Sequence, residues 1–326
     1  MRIPTLAIHF DRTVVQDGFK YNTESHLAPV LATAIKSELK LSSEKEEKNK
    51  SGISAKEYHH SLLLEILADE LKCDIDEIVD LEMSVCDTQP SAIGGARDEF
   101  IFSGRLDNLA SSFCALRALI DSCSEENSLE DEKSVRMVAL FDNEEVGSNS
   151  AQGAGSPTLF HAMKRIARLL ARSGGNAEAE GIVERAIQRS FLVSADMGHA
   201  LHPNYPDKHA ENHQPKLNEG LIIKHNVNQR YATTVVTSFL FREIARLNNI
   251  PFQYFAVRND MGCGSTIGPI LSSGIGIRTV DVGLPQLSMH SVREMMGTAD
   301  VDISYDHFKA FFKTFNSIDE KLKVDG

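Results

Sequence analysis

Residues 138–148 read Val-Ala-Leu-Phe-Asp-Asn-Glu-Glu-Val-Gly-Ser, and this stretch carries the strongest indication of the fold. The predominantly apolar run 135–141 contains β-branched residues and neither Gly nor Pro, which predicts a buried strand. Glu144 and Glu145 follow this run in a tight turn, so we expect their side chains to point in different directions. One carboxylate can then bind a cation while the other acts as a base toward a water molecule. The same dipeptide is also common in solvated turns, so it does not identify a site by itself.

The composition is that of a globular protein with an acidic surface. The chain has 326 residues, of which 42% are hydrophobic and 25% charged, which is enough for two domains or for one large α/β domain with an appendage. No apolar run approaches the roughly 20 residues that a membrane helix needs, so no membrane partner is expected. The net charge of -12 repels phosphate backbones and argues against a nucleic-acid partner. Five cysteines without a Cys-x-x-Cys pair favour a reducing compartment, and a cytoplasmic location fits.

The chain changes character near residues 89–96, where Pro90, Gly94 and Gly95 predict a domain boundary. Before it we expect a short strand at 5–10, a helix at 27–39, a polar surface insertion at 42–56 and a helix at 58–71. Beyond it, predicted strands and helices alternate. The strands are 100–102, 135–141, 190–195, 221–224, 253–257 and 277–282, and the helices are 108–120, 157–172, 233–248 and 305–315. This alternation predicts an α/β fold, a three-layer α/β/α sandwich around a mostly parallel sheet.

Acidic and histidine side chains follow several of the predicted strands. Ligands of such sheets bind outside the carboxyl ends of the strands, so we expect these side chains to converge. They are Asp107, Glu144, Glu145, Asp196 and His290. A set of carboxylates and histidine without thiolates is typical of a hydrolytic Zn²⁺ or Mn²⁺ site, and Asp107 is the natural bridge between two ions. Taken alone, Asp107 could equally cap the helix that follows it.

One pair of histidines is less informative about function. His209 and His213 are four residues apart, as in His-Glu-x-x-His, but Glu211 is one position late. Pro203, Pro206 and Pro215 argue against a helix there. We therefore predict a loop at 207–213.

Several motifs together resemble the aspartyl aminopeptidases of peptidase family M18. They are Gly104-Arg105-Leu106-Asp107-Asn108-Leu109, Asp142-Asn143-Glu144-Glu145-Val146-Gly147-Ser148, Ser194-Ala195-Asp196-Met197-Gly198-His199-Ala200, His202-Pro203-Asn204-Tyr205, Gly264-Ser265-Thr266-Ile267-Gly268-Pro269 and Gln286-Leu287-Ser288-Met289-His290-Ser291. The resemblance covers nearly the whole chain. It implies a cytosolic exopeptidase with two divalent metal ions, zinc in the first place and manganese or cobalt as alternatives. It also implies peptide substrates with an N-terminal Asp or Glu, and a homo-oligomer in which dimers assemble into a dodecamer.

The resemblance also implies roles for individual residues. Asp107 would bridge the metals, Glu145 and Asp196 would each bind one, and His290 would complete a coordination sphere. Glu144 would be the general base. Substrate contacts are implied for His199, Lys224 and Tyr231, and for His9, which would enter the site of a neighbouring subunit. A lysine suits this role because an acidic side chain in the first substrate pocket needs a cation nearby.

One departure from the family pattern affects the expected domain organisation. Family members carry a His-Thr-Asp motif whose His binds the first metal, and no His-Thr-Asp occurs here. The resemblance then makes residues 1–95 the remainder of a dimerisation domain, and residues 96–326 a catalytic domain that lacks its N-terminal segment. The alternative hypothesis is a catalytically impaired, truncated homologue that acts as an assembly partner.

Overall fold

A computed structural model describes residues 1–33, 55–124, 126, 128–130, 132–173 and 181–324. The chain divides into two compact units, Met1–Val85 and Cys86–Gly326.

The first unit has little regular structure in its described part. Its helices are α1, Val14–Asp17, and α2, Ser61–Leu71, which confirms the helix predicted for 58–71. The strand predicted for 5–10 is wrong, because these residues form no ladder and their apolar side chains are exposed. The helix predicted for 27–39 is wrong for residues 27–33, where Pro29 disfavours a helical conformation of Ala28 before it and Val30 forms a bridge with Arg2. The rest of that helix and residues 42–54 of the polar insertion lie outside the described residues.

The second unit contains the sheet and the remaining helices of the described chain. The strands are β1 Ala92–Gly94, β2 Phe100–Ser103, β3 Phe191–His199, β4 Leu221–His225, β5 Phe252–Ala256, β6 Arg278–Leu287 and β7 Glu294–Gly297. The helices are α3 Leu106–Ser124, α4 Thr158–Ser173, α5 Ile182–Arg189, α6 Val235–Leu247, α7 Gly268–Ile275 and α8 Ala299–Asp319. Of all the helices in the described part of the chain, none combines the length and the apolar character needed to cross a bilayer.

The sheet is mixed rather than mostly parallel, whereas the predicted α/β class is confirmed. The strand order is β1-β2-β7-β6-β4-β5, and β3 lies beside β6. Two ladders, β3 with β6 and β4 with β5, are parallel, and the other four are antiparallel. Short connections explain part of the difference, since the few residues between β1 and β2, and between β6 and β7, can join only antiparallel neighbours.

Helices cover both faces of the sheet. On β4, Leu221 and Ile223 are fully buried in a core that includes residues of α3, α6 and α8. Ile222, between them, is buried on the other face with Tyr231 and Phe255. Residues of α4, α5 and α7 pack near Leu192 of β3. This alternation along the strands is the expected pattern for a sheet buried on both sides.

The run 135–141 is not a strand of this sheet, which corrects the prediction made from its apolar character. Its residues form no ladder, and Val135 and Leu140 are 51% and 57% exposed. The run instead lines one wall of an apolar groove of about 880 Å³, and β3 lines another. A strand requires a neighbouring strand, and β3 has no ladder partner on its outer edge among the described residues. The Asn108 side-chain amide donates to the Ala195 carbonyl of β3 at 2.8 Å.

A buried histidine joins α8 to α6. The His307 ring stacks on Phe241 at a centroid distance of 4.0 Å, and its Nε2 lies 3.1 Å from the Phe241 carbonyl oxygen. Burial lowers the pKa of His307 from the ordinary 6.5 to about 4, although the bond to the Phe241 carbonyl opposes this change. Between these two pH values the unfolded chain binds one more proton than the folded protein. The stability from this site is therefore lost as the pH falls from 6.5 to 4.

We expect His307→Leu to gain stability relative to the wild type when the pH is lowered. From pH 7 to pH 4 the gain should be on the order of 3 kcal/mol, because leucine has no proton to bind in the unfolded state. Urea unfolding at several pH values measures this difference. His161→Leu, which removes an exposed histidine from α4, is the control. Parallel stability profiles for His307→Leu and the wild type would contradict the assignment.

Candidate metal centre

Three of the residues predicted to bind metal meet at one end of the sheet. Asp107 lies at the start of α3, Glu145 in the turn after residue 141, and His290 in the connection from β6 to β7. His290 Nε2 lies 3.1 Å from Asp107 Oδ2 and 3.1 Å from Glu145 Oε1. One ligand atom from each residue lies within 4.8 Å of the other two. The Asp107 side chain is 6% exposed, whereas His290 and Glu145 are about 60% exposed, so the cluster opens to solvent on one side.

Asp196, near the end of β3, extends this cluster toward the sheet. Its carboxylate interacts directly with that of Asp107, and burial together with the charge of Asp196 raises the pKa of Asp107 well above its usual range. Burial alone would raise the pKa of Asp196 as well. The charge of Lys224 and the hydrogen bonds that Asp196 accepts, among them one from the Met197 N–H, together outweigh burial, so the pKa of Asp196 lies below its ordinary value. Asp107 therefore stands in a surplus of negative charge, whereas Lys224 stabilises the charged form of Asp196.

Glu144 borders the same cluster without joining the three clustered ligands. Burial raises the pKa of Glu144, and the negative charges of Asp196 and Glu145 raise it further, while Lys224 and His290 act against the rise. A carboxylate in this environment holds a proton more readily than one in water, which is the property that a general base requires.

The tight turn predicted for the two glutamates is present. Residue Asn143 adopts a left-handed backbone conformation with φ of 60°, and its carbonyl accepts a hydrogen bond from the Ser148 N–H at 2.8 Å. Gly147, with φ of 110°, closes the inner turn by donating to the Glu144 carbonyl at 2.9 Å. Asparagine and glycine tolerate positive φ, which explains why this sequence turns sharply here.

Glu294 fixes the backbone on which two of the clustered residues sit, and the sequence reasoning missed it. Its Oε2 accepts a hydrogen bond from the Asp107 N–H at 3.0 Å, and its Oε1 accepts one from the His290 N–H at 2.8 Å. Glu294 is 2% exposed at the start of β7. The available signal was an acidic residue in the short strand Glu-Met-Met-Gly, because a buried carboxylate requires hydrogen-bond donors.

Two of the predicted substrate-contact residues lie near Asp196: Lys224 contacts it, and Tyr231 lies beside Lys224. Lys224 on β4 places its Nζ 3.3 Å from Asp196 Oδ2 and 5.4 Å from the centre of the Tyr231 ring. Tyr231 is 7% exposed, and burial raises the pKa of its hydroxyl. His199 ends β3, where burial and the charge of Lys224 lower its pKa. His9 lies in the first unit and is exposed, so its role stays a prediction.

The histidine pair His209 and His213 lies in a loop, as predicted. Residues Pro206–Lys208 form one turn of 3₁₀ helix, and no α-helix follows among the described residues 209–220. His209 Nε2 accepts a hydrogen bond from the His202 N–H at 3.3 Å, which is a structural contact within the loop.

The clustered donors fit a divalent metal ion. They are two carboxylate oxygens and one imidazole nitrogen, a ligand set suited to Zn²⁺ or Mn²⁺. Burial and the repulsion from Asp196 raise the pKa of Asp107, and a cation among these carboxylates would favour its charged form against both effects.

Comparison with known proteins gives one consistent family. The protein-family model described as Aminopeptidase I zinc metalloprotease (M18) matches residues 1–312 of the sequence. A protein of Ricinus communis named probable aspartyl aminopeptidase is 59% identical over 337 residues, covering 100% of this chain and 67% of the relative. A cryo-electron-microscopy structure of the Ape4 and Nbr1 complex matches with a TM-score of 0.84 and 39% identity, covering 100% of this chain and 60% of that one. The structure of the S. cerevisiae mApe1 dodecamer matches with a TM-score of 0.70 and 34% identity, covering 80% of this chain and 57% of that one.

The chain thus spans about two thirds of the length of the Ricinus relative, at 67%, and 60% of the solved chain from the Ape4 complex. On this basis, the chain belongs to the M18 family of zinc metalloproteases.

Proposed function

We propose that the protein is a metal-dependent aminopeptidase that removes N-terminal Asp or Glu from peptides, with two divalent cations, preferably zinc, at the candidate metal centre. The observation that carries the proposal is the meeting of Asp107, Glu145 and His290 within 4.8 Å, with Asp196 in contact with Asp107. The names of the relatives, which include aspartyl aminopeptidases, support the same activity.

Asp107 is the proposed bridge between the cations, because its carboxylate contacts both Asp196 and the pair formed by Glu145 and His290. Glu145 and Asp196 each hold one cation, and His290 completes one coordination sphere. When bound, the cations lower the pKa of water and polarise the substrate carbonyl.

Glu144 is the proposed catalytic base. It takes a proton from the attacking water and returns it to the amine that leaves when the peptide bond breaks. Its partly buried position beside Asp196 and Glu145 supports this role, since burial and both charges raise its pKa. A carboxylate that stands next to the ligands, without being needed as one, remains free to carry the proton.

Lys224 and Tyr231 are the proposed floor of the first substrate pocket, with His199 at its edge. Lys224 has a 3% exposed side chain, and its ammonium supplies the positive charge that an acidic substrate side chain requires. Substrates whose first side chain is neutral lack this attraction.

We further propose that residues 1–95 belong to a dimerisation domain, that residues 96–326 belong to the catalytic domain, and that the whole protein works in the cytoplasm as a dodecamer assembled from dimers. The match to the S. cerevisiae mApe1 dodecamer supports the assembly. In this arrangement His9 of one subunit contacts the substrate of its neighbour.

The direct test measures amino-acid release from matched short peptides. Pairs that differ only in Asp against Asn, or Glu against Gln, at the first position are incubated with Zn²⁺, Mn²⁺ or Co²⁺. We expect release from the acidic member of each pair, and loss of release when a chelator is added. Equal release from the neutral members would contradict the proposed specificity.

Cation stoichiometry separates the proposed enzyme from the alternative assembly partner. Two tightly bound cations per chain together with acid-specific release support the enzyme. At most one cation per chain and no release with any of the three metals would support the impaired homologue.

A further inference from the structure

Lys224 is held deep in the second unit by two oxygen atoms. Its Nζ donates to the Met197 carbonyl at 2.6 Å and lies 3.3 Å from Asp196 Oδ2. The residue as a whole is 2% exposed. A buried ammonium group needs a counter-charge, and Asp196 is the carboxylate in direct contact with it.

Two glycines make room for the Lys224 side chain. A Cβ atom at Gly283 would lie 2.8 Å from Lys224 Cε, and a Cβ at Gly198 would lie 3.7 Å from the same atom. The side chain of Lys224 therefore passes through a channel that a larger residue at position 283 would close. This packing fixes the ammonium group beside Asp196.

Both carboxylate oxygens of Asp196 already have partners. Oδ1 accepts a hydrogen bond from the Met197 N–H at 2.7 Å, and Oδ2 accepts one from Lys224 Nζ at 3.3 Å. A divalent cation on Asp196 must therefore share an oxygen with the Met197 N–H or with the ammonium group, and in either case it lies close to the Lys224 charge. A cation and the Lys224 ammonium group that contact the same carboxylate in a partly buried site repel each other strongly.

We propose that Lys224 competes with a divalent cation for Asp196, so that cation binding loosens the ammonium group and makes it available to a carboxylate ligand. The proposal rests on the proposed function for the assignment of Asp196 as a cation ligand. It predicts an order of binding. The cation binds first, and the freed Lys224 ammonium group then attracts the acidic side chain of the substrate. Because coupling between two ligands is reciprocal, an acidic ligand on Lys224 also strengthens cation binding.

The decisive measurement is cation affinity, which does not depend on turnover. Mn²⁺ and Zn²⁺ are titrated calorimetrically at pH 8 into the full chain after chelator treatment. Lys224→Met keeps the length of the side chain and removes the charge, so it should bind one cation roughly five- to a hundredfold more tightly than the wild type. Lys224→Arg keeps the charge and should stay near the wild type.

The matched control is Lys216→Met, which removes the same charge from a side chain that is 65% exposed and 3.6 Å from Glu219. It should change cation affinity by less than about threefold, because an exposed charge is screened by salt. If Lys224→Met does not fold, as judged by circular dichroism and thermal unfolding, Lys224→Gln replaces it. Cation affinity in the neutral variant that equals or falls below the wild-type value overturns the proposal.

A second measurement uses the wild-type protein alone. Glutamate and glutamine have nearly the same shape, so their affinities are compared with and without Mn²⁺. The cation should raise the affinity for glutamate more than that for glutamine, and equal increases overturn the proposal. If no peptide is hydrolysed, the cation affinities still decide the role of Lys224. If peptides are hydrolysed and the Lys224→Met affinity is unchanged, this proposal fails by itself and the proposed function stands.

Discussion

Glu144→Gln is expected to lower the rate of peptide hydrolysis by about a hundred- to ten-thousandfold, the range that general acid–base catalysis contributes. Glutamine has the shape of glutamate but cannot accept the proton of the attacking water. Cation affinity should change little, because Glu144 lies outside the three clustered ligands Asp107, Glu145 and His290. The measurement is turnover of an acidic peptide at saturating cation, together with a cation titration of the same variant.

A control variant distinguishes loss of the base from a general effect of charge. Glu130→Gln removes an exposed carboxylate from a turn in the same unit and should leave turnover unchanged. Turnover in Glu144→Gln within a few-fold of the wild type would remove Glu144 from the mechanism. A large loss of cation affinity in that variant would instead make Glu144 a ligand.

Glu294→Ala is expected to weaken cation binding by about ten- to a hundredfold, the usual effect of removing a residue that orients metal ligands. The substitution leaves the N–H groups of Asp107 and His290 without their present acceptor, Glu294. An unpaired donor costs about 1–3 kcal/mol when it is fully buried, and these two donors are partly buried, so the variant should also unfold at a lower temperature. Calorimetric cation titration and thermal unfolding measure the two effects.

Two further variants make this prediction specific. Glu294→Gln retains one oxygen acceptor and should fall between the wild type and Glu294→Ala in both measurements. Glu320→Ala removes an exposed carboxylate paired with Lys133 and should alter neither. Wild-type cation affinity in Glu294→Ala would show that Asp107 and His290 keep their positions without this support.

Elements with a clear apolar repeat were predictable from the sequence, because the repeat itself shows which side chains face the core. The helices α3, α6 and α8 and the strands β2 to β6 all fall near their predicted positions. The run 135–141 has a similar composition but no neighbouring strand among the described residues, so it forms no ladder. Composition identifies a segment that could be a strand, whereas pairing depends on a partner elsewhere in the chain.

The site could be predicted in part for a related reason. Asp107, Glu145, Asp196 and His290 carry chemistry that stands out at the ends of strands or strand-like runs. Glu294 does not stand out, because an acidic residue in a short strand is usually a solvated side chain. Its importance comes from two backbone N–H groups that are distant in sequence, and only the fold brings them to one carboxylate. The contact between Lys224 and Asp196 is hidden for the same reason.

The outer edge of β3, which has no ladder partner in the part of the chain that the structure describes, has a practical consequence for purification. Backbone groups along an open edge bind to any extended chain that offers a complementary ladder, and the apolar groove beside it favours chains with large alternating side chains. Crowding or warming should therefore make this edge a nucleus for intermolecular sheets. Material lost during concentration would be expected to aggregate through β3, and a short peptide that occupies the edge would protect it.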